Sequence, residues 1–247
     1  MRLREITPSI WQVPFPVGHV YLVRLPAGGP SGRSGYALVD TGVAGSAPAV
    51  LEALAGLGGR PEDVRQIVLT HSHLDHTGSA ADLVAATGAT VLAGAPDAPV
   101  IRGAAPEPEP VPTATERVLH EKIMADLAES GVEPPRPVAV DIELAEGDEP
   151  AGWGEPVHVL ATHGHTPGGI ALHLPESRVL FPGDIIGTGE GRAVLGPFNV
   201  DREQAIASFR RLAALERVET VCVPHGEPIT EDAAAVLAAA TPETDWL

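Results

Sequence analysis

The stretch Ile67-Val-Leu-Thr-His71-Ser-His73-Leu-Asp75-His76-Thr-Gly78 places three histidines and an aspartate within six residues. An apolar, β-branched run precedes it and reads as a buried strand; residues 79–86, Ser-Ala-Ala-Asp-Leu-Val-Ala-Ala, follow and read as a helix. Side chains alternate along an extended segment, so His71 and His73 face the same way and can share one ion, while Asp75 and His76, around the turn, can face a second. Neutral imidazole and carboxylate form the donor set of zinc and related divalent ions. Turn chemistry accounts for Asp and Ser at such a place. It does not account for three histidines, which repel one another when protonated unless something shares their lone pairs.

Four further motifs lie along the chain: Leu38-Val-Asp40-Thr-Gly42 ahead of the histidine run, then Gly164-His165-Thr-Pro-Gly168, Phe181-Pro-Gly183-Asp184 and Val223-Pro-His225-Gly226 after it. In this order, over residues 36–226, the five resemble the signature of the metallo-β-lactamase superfamily, a broad group of metallohydrolases. The resemblance implies an α/β fold, a four-layer αββα sandwich of two mixed β-sheets flanked by helices, with the metal site at one edge. It implies that His71, His73 and His165 hold one ion and Asp75, His76 and His225 a second, with Asp184 shared between them. Asp40 is then an outer acid that orients the ligand loop. Two divalent ions follow, zinc being expected and iron or manganese the alternatives. His19 is a candidate for the substrate pocket, because the family often has a polar residue near this point; a solvated strand start is the plainer reading. His163 stands where relatives commonly carry proline, and either adds a polar group to the pocket or has no role.

The activity implied is hydrolysis of an ester, thioester or lactone bond of a small molecule by a metal-bound hydroxide, with Asp75 also carrying a proton to the leaving atom. Lactamases of this superfamily carry cysteine or serine where Asp184 stands, which disfavours that activity. A thioesterase of the glyoxalase II type carries a longer helical C-terminal region with basic glutathione contacts, whereas about twenty residues follow His225. Two readings of other classes stand beside hydrolysis: a mononuclear iron oxidoreductase resembling persulfide dioxygenases, and a binding domain that keeps its metals for stability alone. Covalent catalysis lacks its neighbours: Ser72 has no base of its own, and Cys222 sits inside the apolar run 218–223.

These residues need elements to hold them. The 247 residues, with 44% hydrophobic content, suffice for one packed domain spanning 1–247. The formal charge of −17, with no cluster of basic residues, argues against nucleic acid or an anionic membrane as partner. No run has the length of a membrane span or of a signal peptide, and a single cysteine forms no internal disulfide, so a cytoplasmic location is expected. Strands are predicted at 9–15, 19–25 and 36–40, beginning the chain as an antiparallel meander, with a Gly- and Pro-rich turn at 26–35. Alternation follows: a helix at 46–57 capped by Ser46, a strand at 66–70, the ligand turn and its helix, and a strand at 89–93. Residues 94–137 read as an insertion. Its first part, 94–112, is rich in Pro, Ala and Glu and is expected to form no packed element, while 113–130 reads as a helix with Leu119, Ile123 and Leu127 on one face. Beyond it come a strand at 157–161, a hairpin of 169–174 and 178–181, a glycine-rich mobile lip at 185–200, a helix from Asp201 to about 215, a strand at 220–223 and a helix at 230–240. His120, His158 and His173 each stand alone within an element and are assigned no site role.

Overall fold

The computed structural model describes residues 3–28 and 32–244. The chain starts with β1 (Arg4–Thr7), β2 (Ile10–Val13), β3 (Val20–Ala27) and β4 (Ser34–Val39), each antiparallel to the next. Residues 29–31 of the expected 26–35 turn lie outside the described residues. It continues through α1 (Ala47–Gly56), β5 (Val64–Leu69), α2 (Leu74–Thr77), α3 (Ala80–Thr87), β6 (Thr90–Gly94), α4 (Ala98–Ile101), α5 (Ala114–Ser130) and β7 (Ile142–Leu144). Strands β4 to β7 are parallel, so the first sheet is mixed, in the order β1-β2-β3-β4-β5-β6-β7. The second half supplies β8 (His158–Ala161), β9 (Ile170–Leu174), β10 (Val179–Phe181), the hairpin β11 (Ile186–Gly189) and β12 (Arg192–Leu195), then α6 (Arg202–Ala213), β13 (Thr220–Val221) and α7 (Ala233–Ala238). The second sheet runs β13-β10-β9-β8 and is also mixed, β13 lying parallel to β10.

Period-two alternation builds the layers. Leu38, Ile67, Leu69, Val91 and Ala93 pack outward against Val50 and Leu54 of α1 and Leu83 of α3. Their neighbours Ala37, Val39, Val68 and Leu92 face inward, meeting Ile170, Leu172, Val179 and Phe181 of the second sheet. The other face of that sheet, through Ala171, Leu180 and Val221, packs on Phe209 and Leu212 of α6 and Leu237 of α7. Three apolar interfaces separate four layers, α/β/β/α, as expected.

Several elements depart from the sequence reading. Strands β1 and β7 form at the two edges of the first sheet; both are too short and too polar to announce themselves. Residues 94–112 do contain a packed element: α4 buries Ala98 and Ile101. The glycine-rich 185–200 segment is not a lip but a hairpin with Ile186, Ala193 and Leu195 in the core, because its β-branched and aliphatic residues alternate between the glycines. On α5, Leu119 is only half-buried and Ile123 is 37% exposed, so neither of these two seats the helix on the core; the side chain of Leu127 lies outside the described residues. Among its described side chains the buried one is Glu116, in a capping box with Thr113 and within 3.4 Å of Arg202. Ser46 occupies the cap position of α1 without capping it by its side chain. The Ser79 hydroxyl does so, accepting from Ser46 N at 2.8 Å and Ala47 N at 3.2 Å.

Candidate metal centre

The carboxyl ends of β4, β5, β6, β10 and β13 and the β8–β9 turn meet at one edge, where Ile170 N–H donates to Thr70 O across the two sheets. Each motif sits just beyond one of these strands, and the arrangement brings all seven expected ligands together. His71, His73, His165 and Asp184 each offer an atom within 4.8 Å of the others', and Asp75, His76 and His225 do the same. In the first group, His73 Nδ1 is 3.0 Å from His71 Nε2 and 2.9 Å from His165 Nε2. In the second, Asp75 Oδ2 is 3.4 Å from His76 Nε2 and 3.2 Å from His225 Nε2. Asp184 lies between: Oδ2 is 3.3 Å from His165 Nε2 and 3.2 Å from His225 Nε2, and Oδ1 is 3.2 Å from His76 Nε2.

Asp40 closes β4 in the left-handed region, at φ 61°. Its Oδ1 accepts from Thr70 N, and its Oδ2 accepts from Thr70 Oγ1 at 2.9 Å and from His76 Nδ1 at 2.9 Å. With the threonine hydrogen committed to Asp40, the 3.1 Å contact of Thr70 Oγ1 with His71 Nδ1 makes the imidazole the donor. One carboxylate thereby fixes two tautomers, leaving the Nε2 lone pairs of His71 and His76 aimed at the centre.

Those lone pairs face carboxylate oxygens, an arrangement that repels unless a positive charge lies between. His76 Nε2 and Asp184 Oδ1, which face each other at the centre, are buried with no hydrogen-bond partner among the described residues. A donor set of imidazoles and carboxylates, too crowded and too poor in hydrogens to satisfy itself, fits divalent cations. Without an ion, protons take their place. Burial opposes charge on His76, but Asp75, Asp184 and Asp40 lift it well above its usual value. His225 rises to about 10, Asp184 and Asp75 outweighing burial in the same way. Burial, then His165, pushes His73 down to about 3. Asp75 and Asp184 are held well below the carboxylate range because neighbouring histidines, His76 and His225 foremost, overcome the cost of burying them.

The two pocket candidates sit at the margin. His19 accepts from Phe15 N on Nδ1 and donates from Nε2 to Gly226 O at 3.0 Å, clipping the turn that carries His225. It borders a cleft of about 510 Å³ together with Arg4, Gln12 and Glu227. His163 donates from Nδ1 to Pro167 O at 2.6 Å, across the turn that carries His165.

Sequence reasoning missed Asp97, which is 1% exposed. Its carboxylate accepts from Ser72 N at 3.0 Å, Thr166 Oγ1 at 2.7 Å and Gly168 N at 2.6 Å, tying the His71–His76 turn to the His165 turn. A Cβ on Gly168 would lie 2.6 Å from Asp97 Oδ1, and one on Gly94 would lie 1.9 Å from Gly168 O, so both glycines permit this approach. The available signal was positional: Asp97 follows β6 as Asp40 follows β4. Glu107, in the insertion, was missed too; it places Oε1 3.1 Å from His73 Nε2, and burial, then Asp75 and Asp97, raise its carboxyl.

The family model of the metallo-beta-lactamase superfamily matches residues 13–225, most of the chain and every one of these groups. The chain belongs to that superfamily. Among curated relatives it is 32% identical to a hydroxyacylglutathione hydrolase of Cereibacter sphaeroides over 196 residues, 79% of this chain but 59% of that protein. It is 26% identical to the probable metallo-hydrolase YflN of Bacillus subtilis, over 87% of this chain and 82% of that one. The chain thus spans less than two thirds of the hydroxyacylglutathione hydrolase. Among solved structures, the HARLDQ-motif metallo-beta-lactamase of Cronobacter sakazakii superposes with a TM-score of 0.67 at 25% identity, covering 92% of this chain and 78% of that one. The metallo-beta-lactamase SMB-1 gives the same TM-score at 22% identity, over 97% and 93%, a likeness of fold. Among the described residues, no helix is long and apolar enough to cross a membrane.

Proposed function

We propose that the protein is a dinuclear metal-dependent hydrolase of small acyl compounds, an ester, thioester or lactone. The observation that carries this reading is the convergence of two donor groups with Asp184 within reach of both. His71, His73 and His165 would hold one ion, Asp75, His76 and His225 the other, and Asp184 would bridge. Zinc is the proposed ion, since imidazole and carboxylate suit it. When bound, such a pair supplies Lewis acidity and brings the pKa of water to about 7. The chain's own part is to position and to move protons. Asp40 holds His71 and His76 in the required tautomers. Asp97 keeps the two ligand turns in register. Asp75, ionised and less enclosed than Asp184, is placed to take up a proton on the carboxylate oxygen it does not offer to an ion and to return it to the leaving atom. The relative named for hydrolysing an acylated glutathione supports the acyl class of substrate.

The proposal treats residues 1–247 as one domain with an insertion at about 94–137, supported by apolar interfaces that run through both halves. A cytoplasmic location belongs to it as well, supported by the lone, buried Cys222. Elemental analysis alongside a panel of esters, thioesters and lactones tests the reading. Two ions per chain and turnover of one acyl class are expected, with His73→Ala and Asp184→Ala each abolishing turnover while the circular dichroism of the fold persists. Full turnover by either variant after metal depletion, or a single iron with oxygen uptake, overturns it.

A further inference from the structure

The insertion carries one acidic group to the metal centre, and the backbone shows how it is held there. Between 105 and 111 the chain reads Ala-Pro106-Glu107-Pro108-Glu109-Pro110-Val111, a span in which alternate residues have φ fixed by the pyrrolidine ring. Upstream, Ala104 N and Ala105 N donate to Pro99 O at 2.8 and 3.1 Å, fastening the span to α4, whose cap position is Asp97. Downstream, Val111 N donates to Asn199 O at 2.9 Å, and Asn199 precedes Val200, whose N–H donates to His165 O. The next helix is locked to the same place: buried Glu116 meets Arg202 at the start of α6, and His120 stacks edge-on to Phe198 with centroids 5.1 Å apart. A stiff span pinned at both ends therefore crosses the face of His73. The imidazole turns Nδ1 toward His71 and His165 and Nε2 toward Glu107 Oε1, 3.1 Å away.

Resting on the dinuclear reading above, we propose that Glu107 is a positioning residue of the metal centre: its carboxylate keeps the proton of His73 on Nε2 and so presents the Nδ1 lone pair to the ion. The insertion then acts as part of the centre. A carboxylate on the far nitrogen of a ligating imidazole fixes ring orientation and raises its basicity, and its loss weakens metal binding by about 10–100-fold. Glu109, two residues on in the same span and exposed as Glu107 is, serves as the internal control.

The experiment titrates the metal-free full chain with Co²⁺, following visible absorption and competing with a chelator, for the unaltered protein, Glu107→Ala, Glu107→Gln and Glu109→Gln. Expected are a loss of about 10–100-fold in affinity for one of the two ions and a changed visible band for Glu107→Ala. Glu107→Gln, whose amide oxygen still accepts from Nε2, should recover part of the loss, and Glu109→Gln should match the unaltered protein. Identical isotherms and bands for Glu107→Ala and the unaltered chain overturn the assignment, as does an equal loss in Glu109→Gln, which would mark a diffuse effect of charge. Failure of the unaltered protein to bind Co²⁺ would instead refute the dinuclear reading, and this one with it.

Discussion

At the scale of single residues, the centre is governed by which nitrogen carries a proton. Asp40 reaches His76 directly and His71 through Thr70, so Asp40→Asn should cost about 10–100-fold in ion affinity, measured by chelator competition. Asparagine tolerates the left-handed backbone at this position, so the loss should come without unfolding. Stability should also depend on pH in a defined way. His73, held down to about 3, stays neutral in the fold, while the unfolded chain takes up that proton near pH 6.5; stability is therefore lost as pH falls below about 6.5. His225, lifted to about 10, works in the opposite sense: its contribution is complete below about 6.5 and disappears as pH rises to about 10. Metal-free protein should melt highest near pH 6.5, and divalent metal should raise the alkaline side most, because the ion replaces the proton on His225. Melting curves against pH with and without chelator test this; an alkaline limb that metal leaves unchanged contradicts it.

At the scale of elements, polar side chains set where helices begin and how ligand turns meet. The Ser79 hydroxyl, fully buried, accepts from the first two amides of the α1 cap and donates to Val43 O, joining α1 to the loop that follows the histidine run. Ser79→Ala removes the acceptor of Ala47 N and leaves Ser46 N with Val43 O alone, at 3.1 Å, and should cost about 0.5–2 kcal/mol, read from urea denaturation. Asp97 has the same character on the other side of the site, since it bonds two turns from different halves of the chain. Both residues lie at the rim where strands end, so the elements that build the core also fix the spacing of the donors.

At the scale of the whole molecule, the two sheets meet face to face, and Cys222 lies in their common interface with 1% exposure. Burial alone pushes its thiol far up, so the thiolate needed for alkylation is absent in the fold. Labelling by iodoacetamide should be negligible in native protein and should follow global unfolding across a denaturant series. Fast labelling under native conditions would show that the sheets part more readily than their packing implies.

The sequence determined what is written locally, the cluster of candidate donors at 71–76 and the alternation of the strands, while His165, Asp184, His225 and the four-layer arrangement were legible only through the family resemblance. The histidine run betrays itself by composition, and inward and outward strand residues by alternation. Asp201 even announced its helix, accepting from Gln204 N as a cap should. Tertiary structure decided what depends on distant partners. Strands β1 and β7 exist because a neighbour offers an open edge. The 185–200 segment became a hairpin because its aliphatic residues found the face of α6 and α7. Glu107 carries no local mark that separates it from other acids in a Pro-rich stretch and Asp97 only its place after β6; their meaning arises when folding sets Asp97 against Ser72 and Gly168 and Glu107 against His73. A ligand's identity is chemistry held within one residue, whereas its orientation is a contact between segments far apart in the chain, and only the packed molecule specifies such contacts.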